Sequence, residues 1–171
     1  VPDGLLEITV NPRSGSVLFA SDNQPIFLHV SDGPSVTNAV IVATSSGGGV
    51  LSFRNDGVNP DKTPNNGTYS AFYRVPTNVP TVTISFVISA PDKETATNVV
   101  TYSVIPLPSN DNLTNAIKVP VVGASYVSNN RFATLETGEP VHAGVSKVAA
   151  SLWWIWSAAT STNVLVDTGG S

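Results

Sequence analysis

The nonapeptide TVTISFVIS, residues 81–89, alternates along its whole length. Val82, Ile84, Phe86 and Ile88 fall on one side, and Thr81, Thr83, Ser85 and Ser89 mostly on the other. Successive side chains of a strand point to opposite faces, so a period of two makes a ribbon with one dry and one wet side. TYSAFYRV (68–75) repeats the pattern: Tyr69, Ala71, Tyr73 and Val75 share a face against Ser70, Phe72 and Arg74.

Six more segments read as strands: LLEITV (5–10), SVLFA (16–20), PIFLHV (25–30), VTNAVIVA (36–43), VLSFR (50–54) and TNVVTYSVI (97–105). The clusters NPRSGS, ASDNQ, SDGPS, TSSGGG and SAPDKE separate them with residues that turns require. This density of short strands suits an immunoglobulin-like β-sandwich over 1–106, though it lacks the cysteine pair and core tryptophan of antibody domains. The wider composition agrees: Val, Thr, Ser, Asn, Gly and Pro are abundant and strong helix formers are sparse.

IPLPSNDN (105–112) marks a boundary, because two prolines and a polar cluster cannot continue a central strand. Beyond it, Asn112 is placed to cap one helical turn. VPVVGASYV, RFATL, SLWWIWSA and TNVLVDT then resume the β pattern. The second unit, 107–171, is marginal in size for a core of its own. The expected fold class is therefore all-β: a sandwich followed by a partial jelly-roll-type β unit. The expectation is either a fragment of a longer chain or a subunit whose missing strands come from a neighbour.

The chain has no cysteine and no methionine, which excludes disulfides, thiol nucleophiles and Cys-based zinc sites. Its net charge is −4, with no run of Lys or Arg, so a nucleic-acid surface is not expected. The longest apolar runs fall short of the roughly 20 residues of a membrane helix, so no membrane insertion is expected.

Five oxygen-bearing side chains, Asp56, Asn59, Asp61, Asn65 and Asn66, crowd into NDGVNPDKTPNNG. Calcium takes six to eight hard oxygen ligands, so this loop is a candidate calcium site, although its spacing is not that of an EF-hand. The same residue types are also what two consecutive turns require. Glu139 and His142 in GEPVHAG offer a carboxylate beside an imidazole, the raw material of acid/base chemistry or of a metal site. A fixed loop held by side-chain to backbone bonds is the favoured reading there. Asp167 opens DTGGS, but the aspartic-protease reaction needs two carboxylates sharing a proton, and the chain has no second copy of the motif. No HExxH, GxSxG or Walker loop is present, so no enzyme is expected. Asn66-Gly67-Thr68 and Asn112-Leu113-Thr114 match the glycosylation sequon.

All three tryptophans lie in SLWWIWS (151–157). Alternation puts Leu152, Trp154 and Trp156 on one face and Trp153 and Ile155 on the other. Trp154 and Trp156 are expected in the core, and Trp153 is the ring expected to meet a ligand or a neighbouring subunit.

Four motifs of the second unit occur in an order that resembles the bacterial pre-peptidase C-terminal domain, a β-jelly-roll module of secreted proteases and surface proteins. They are Asn110 and Asp111 with Asn115 and Ala116, the Gly-Glu-Pro-x-His-Ala-Gly segment at 138–144, Ser-x-Trp-Trp-x-Trp at 151–156, and Asp-Thr-x-Gly-Ser at 167–171. The loop RNDGVNPDKTPNNGTYS (54–70) more loosely resembles immunoglobulin-like modules of bacterial surface proteins. The resemblance implies an extracellular or cell-surface, non-catalytic structural or adhesive module. One version is a filament subunit completed by β-strand complementation from identical subunits, or a spacer among other domains of a larger polypeptide. The alternative is a polysaccharide-binding accessory module of a secreted enzyme.

Overall fold

A computed structural model describes residues 4–139 and 150–167; His142 lies outside them. The chain splits into two compact units, Val1–Pro106 and Leu107–Ser171, divided within the proline-bearing stretch.

The first unit contains β1 (Glu7–Asn11), β2 (Val17–Phe19), β3 (Asn23–Ser31), β4 (Val40–Ser45), β5 (Val50–Leu51), β6 (Thr68–Arg74), β7 (Thr81–Ser89) and β8 (Ala96–Ile105). One sheet runs β1-β3-β6 and the other β2-β8-β7-β4-β5. All pairs are antiparallel except β2 with β8. The alternation of β7 is realised as read: Val82, Ile84, Phe86 and Ile88 are at most 1% exposed. They join Ile26, Leu28 and Val30 of β3 and Tyr69, Ala71 and Tyr73 of β6 in one buried core. Fully burying each such aliphatic or aromatic side chain is worth about 1.5–3 kcal/mol.

Tyrosine hydroxyls tie up polar groups at the edges of this core. Tyr69 donates to the Val36 carbonyl at 3.1 Å and accepts the Ala39 N–H at 2.7 Å. That is why β4 starts at Val40 and not at the Val36 expected from the pattern. Tyr73 meets the Ser45 hydroxyl at 2.8 Å, and Tyr102 donates to the Pro12 carbonyl at 2.7 Å. Burial pushes the Tyr102 phenol up to about 12.

VLSFR behaves differently from its apolar pattern because the chain changes sheets there. Leu51 pairs with Ala43 of β4, while Arg54 bridges Ser70 of β6. Between them, Phe53 packs edge-on against Phe86 at 5.6 Å. Pro25, unusual within a strand, is tolerated because β1 ends with Asn11 opposite Phe27, leaving no neighbour to claim an N–H at position 25.

The second unit forms one 3-10 turn, Leu113–Asn115, and two short parallel strands, β9 (Ile117–Lys118) and β10 (Trp154–Ile155). Asn112 precedes the turn in extended conformation and makes no side-chain cap bond. The described parts of VPVVGASYV, RFATL and TNVLVDT form no strand. Val122, Val127, Leu165 and Val166 are at least 85% exposed. Apolar alternation specifies a face but not a partner, and a strand without a ladder does not persist. A partial β unit is present, but no jelly roll among the described residues.

Candidate functional site

The loop between β5 and β6 is organised around Asp61, whose side chain is buried at 5% exposure. Its Oδ2 accepts the Gly57 N–H at 2.9 Å and its Oδ1 the Thr63 N–H at 3.1 Å. Burial raises this carboxyl, but backbone bonds from Gly57, Thr63 and Lys62 outweigh it and hold the group below its ordinary value. Asp56 Oδ1 accepts the Val58 N–H at 3.0 Å. Asn66 Oδ1 accepts the Thr68 N–H at 2.8 Å, and the Asn66 N–H donates to Asn55 Oδ1 at 3.1 Å. Asn65 sits at φ 56° and Gly67 at φ 79°, the left-handed conformations that this hairpin entry needs. A Cβ on Gly67 would lie 2.8 Å from Ser35. Asp56, Asp61 and Asn66, three of the five residues read as calcium ligands, are thus turned to the loop's own N–H groups, while Asn59 and Asn65 are exposed. Among the described residues no three His, Asp or Glu side chains converge on one point.

This loop covers only part of the edge of its sheet. β6 is an outer strand. Ser70 exchanges both backbone bonds with Arg54, at 3.0 and 2.8 Å, and the Thr68 N–H is closed by Asn66. Strand geometry sends alternate residues' backbone groups the same way, so Phe72 and Arg74 also direct their N–H and C=O groups to this edge. No backbone partner meets them there among the described residues. The chain departs toward β4 at this point and opens a groove of about 220 Å³, lined by Ser52, Arg54, Asp56, Val58, Asn59 and Phe72 among others. Phe72 is 41% exposed, a large ring on an otherwise polar side of β6. Alternation along β6 puts Phe72 and Arg74 on the face opposite the core without assigning them a role. The signal was there in an aromatic ring among wet-face positions.

The Asn-Asp motif of the second unit is structural. Asn110 and Asp111 are buried, at 2% and 3% exposure. Asp111 accepts from the Thr134 N–H at 2.5 Å and from the Thr134 hydroxyl at 2.7 Å. Glu139 accepts from the Glu136 N–H at 3.0 Å and from the Ser151 hydroxyl. Glu139 thus clamps its own turn to the tryptophan segment; His142 lies outside the described residues. Asp167 is exposed.

The tryptophans depart from the sequence expectation. Trp154, expected in the core, is 38% exposed, with its ring 6.3 Å from that of Tyr126. Trp153, expected to face a ligand, has its indole nitrogen buried. Trp156 is half-buried, and its Nε1 donates to the Val121 carbonyl at 3.3 Å. With one short partner strand and, among the described residues, no second sheet over β10, strand alternation does not define an inside here.

His29 lies on β3 with Nδ1 3.2 Å from the Thr68 hydroxyl, and Glu139 and Asp167 belong to the other compact unit.

No family model and no curated protein matches the chain. Among solved structures, it is similar to CopC from Methylosinus trichosporium OB3b, with a TM-score of 0.39 and 15% identity over 60% of this chain and 94% of that one. It is also similar to PcoC, a methionine-rich copper resistance protein from Escherichia coli, with a TM-score of 0.37 and 15% identity over 57% and 94%. These neighbours correct the expectation of a structural or adhesive module and of a filament subunit: PcoC carries copper resistance in its name, and neither name speaks of assembly. Copper itself does not pass to this chain by that likeness. The chain has no methionine or cysteine, the soft donors that select copper(I), and the described histidine is engaged with Thr68.

Proposed function

We propose that the chain is a non-catalytic binding module acting outside the cytoplasm, and that the groove beside β6 is its binding site. The carrying observation is the coincidence, at one place, of the exposed Phe72 ring with the open backbone groups of Phe72 and Arg74. Ligand sites combine an apolar platform with a few directed polar groups, and this groove has both. The carboxylates of Asp61, Asp111 and Glu139 are occupied in holding loops.

Calcium is not required for this reading, since the loop beside the groove is closed by its own amides. The low charge and the Thr- and Ser-rich strands suit a secreted or surface-exposed setting.

Arrayed oligosaccharides and peptides probed with the labelled protein test the reading. Binding that is reduced in Phe72→Ala, with the thermal transition retained, is the expected result. A ligand bound equally well by Phe72→Ala, or no ligand of either class, contradicts it.

A further inference from the structure

We infer that the ligand of this groove is an extended polypeptide segment that adds to the β6 edge, carrying an acidic side chain two residues from an apolar one. The inference rests on the binding-module reading and names the ligand class.

The edge is closed rung by rung until the groove begins. Thr68 is capped by the Asn66 side chain, and Ser70 is paired with Arg54. Phe72 and Arg74 are the next two rungs, about 6.7 Å apart in a strand, and each presents one donor and one acceptor. An extended peptide offers donors and acceptors at that repeat. A sugar chain offers hydroxyls but no matching ladder. The incoming segment continues the line that the Arg54 bridge begins, where the protein's own chain turns away to β5. Edge strands recruit peptides in this manner, with backbone bonds giving affinity and alternate side chains giving specificity.

The side chains then select. Cross-strand partners share a face, so Arg54, Ser70, Phe72 and Arg74 all project to the outer side of this sheet. Pro25 lies beside Phe72 across β3 and extends the apolar spot. A ligand residue opposite Phe72 meets ring and proline, and the residue two positions along meets the Arg74 guanidinium. Asp56 also lines the groove and keeps its negative charge while its Oδ1 accepts the Val58 N–H, so the acidic ligand residue belongs at the Arg74 end of the edge. A second copy of the chain, joined edge to edge, would add its own Arg54 and Arg74 to the same positive strip. The charge therefore favours an acidic partner over self-pairing.

The test is fluorescence anisotropy with a labelled seven-residue Ser/Thr peptide bearing Val and Asp two positions apart. Its counterparts carry Lys for Asp, or N-methyl groups on alternate backbone amides. The Val/Asp peptide is expected to bind. The Lys peptide, and the protein variant Arg74→Glu with the original peptide, are each expected to bind about tenfold more weakly or worse. Pairing Arg74→Glu with the Lys peptide is expected to restore binding, which a merely unfolded variant would not do. N-methylation in the pairing register is expected to abolish binding. Equal binding of peptides methylated in both registers overturns the inference. So does dimerisation in sedimentation without peptide binding, which would make a second copy the occupant. Phe72-dependent binding of oligosaccharides without peptide binding overturns the inference but leaves the binding module standing. If neither class binds, both fall.

Discussion

Asn110 and Trp153 hold each other by two hydrogen bonds: the Trp153 N–H donates to the Asn110 carbonyl at 3.0 Å, and Asn110 Nδ2 donates to the Trp153 carbonyl at 3.0 Å. The Ile117 N–H reaches the same Trp153 carbonyl at 3.1 Å, so this residue anchors the entry to both short strands of the second unit. Asn110→Ala removes the side-chain bond within a buried site. A loss of about 1–2 kcal/mol is expected in the second unit. Tryptophan fluorescence should report it as a lower denaturant midpoint, while far-ultraviolet signal from the larger sandwich is little changed. Coincident, unshifted transitions would show that the pair is dispensable.

Asp61 ties the loop beside the groove to pH. Its folded value lies below the ordinary 3.8, so the ionised form is the one the fold favours. Its contribution is therefore complete above the unfolded value and is lost as pH falls below 3.8 through the folded one. Asp61→Asn should melt below the parent at pH 7, and the gap should narrow as pH drops below about 4. A gap independent of pH would mean that the carboxylate charge is not what organises the loop. Because the loop's oxygens are engaged internally, a chelator is expected to leave the melting temperature of the parent unchanged.

Tyr102 gives the opposite limb. Burial raises its phenol from 10.0 to about 12, so the neutral form belongs to the folded state. Stability from this group is fully present below pH 10 and declines as pH rises from there through 12. In Tyr102→Phe, the alkaline decline between those values should be shallower than in the parent. An unchanged slope would assign it to other groups.

Much of the first unit was legible because its strands announce themselves by period. Val82, Ile84, Phe86 and Ile88, like Tyr69, Ala71 and Tyr73, are buried as their alternation required. What period cannot show is partnership. VLSFR looks like one strand, but its ends belong to different sheets, and the groove exists because of that switch. The loop residues Asp56, Asp61 and Asn66 were legible as polar and crowded, yet composition could not tell ligands from turn-formers, since both need the same oxygens. The tryptophans misled for a related reason. Trp153 and Trp154 were sorted by faces, and faces have no meaning until a second layer covers one of them.

The binding claim is tested most directly by backbone amide shifts of the isotopically labelled protein titrated with the Val/Asp peptide. Phe72 and Arg74 are expected to exchange their amide protons quickly without peptide and to become protected with it, showing the largest shifts along with Arg54, while Tyr73 and Ala71 stay protected throughout. Amides of Phe72 and Arg74 already protected without ligand, or ligand shifts centred elsewhere in the chain, would contradict the account.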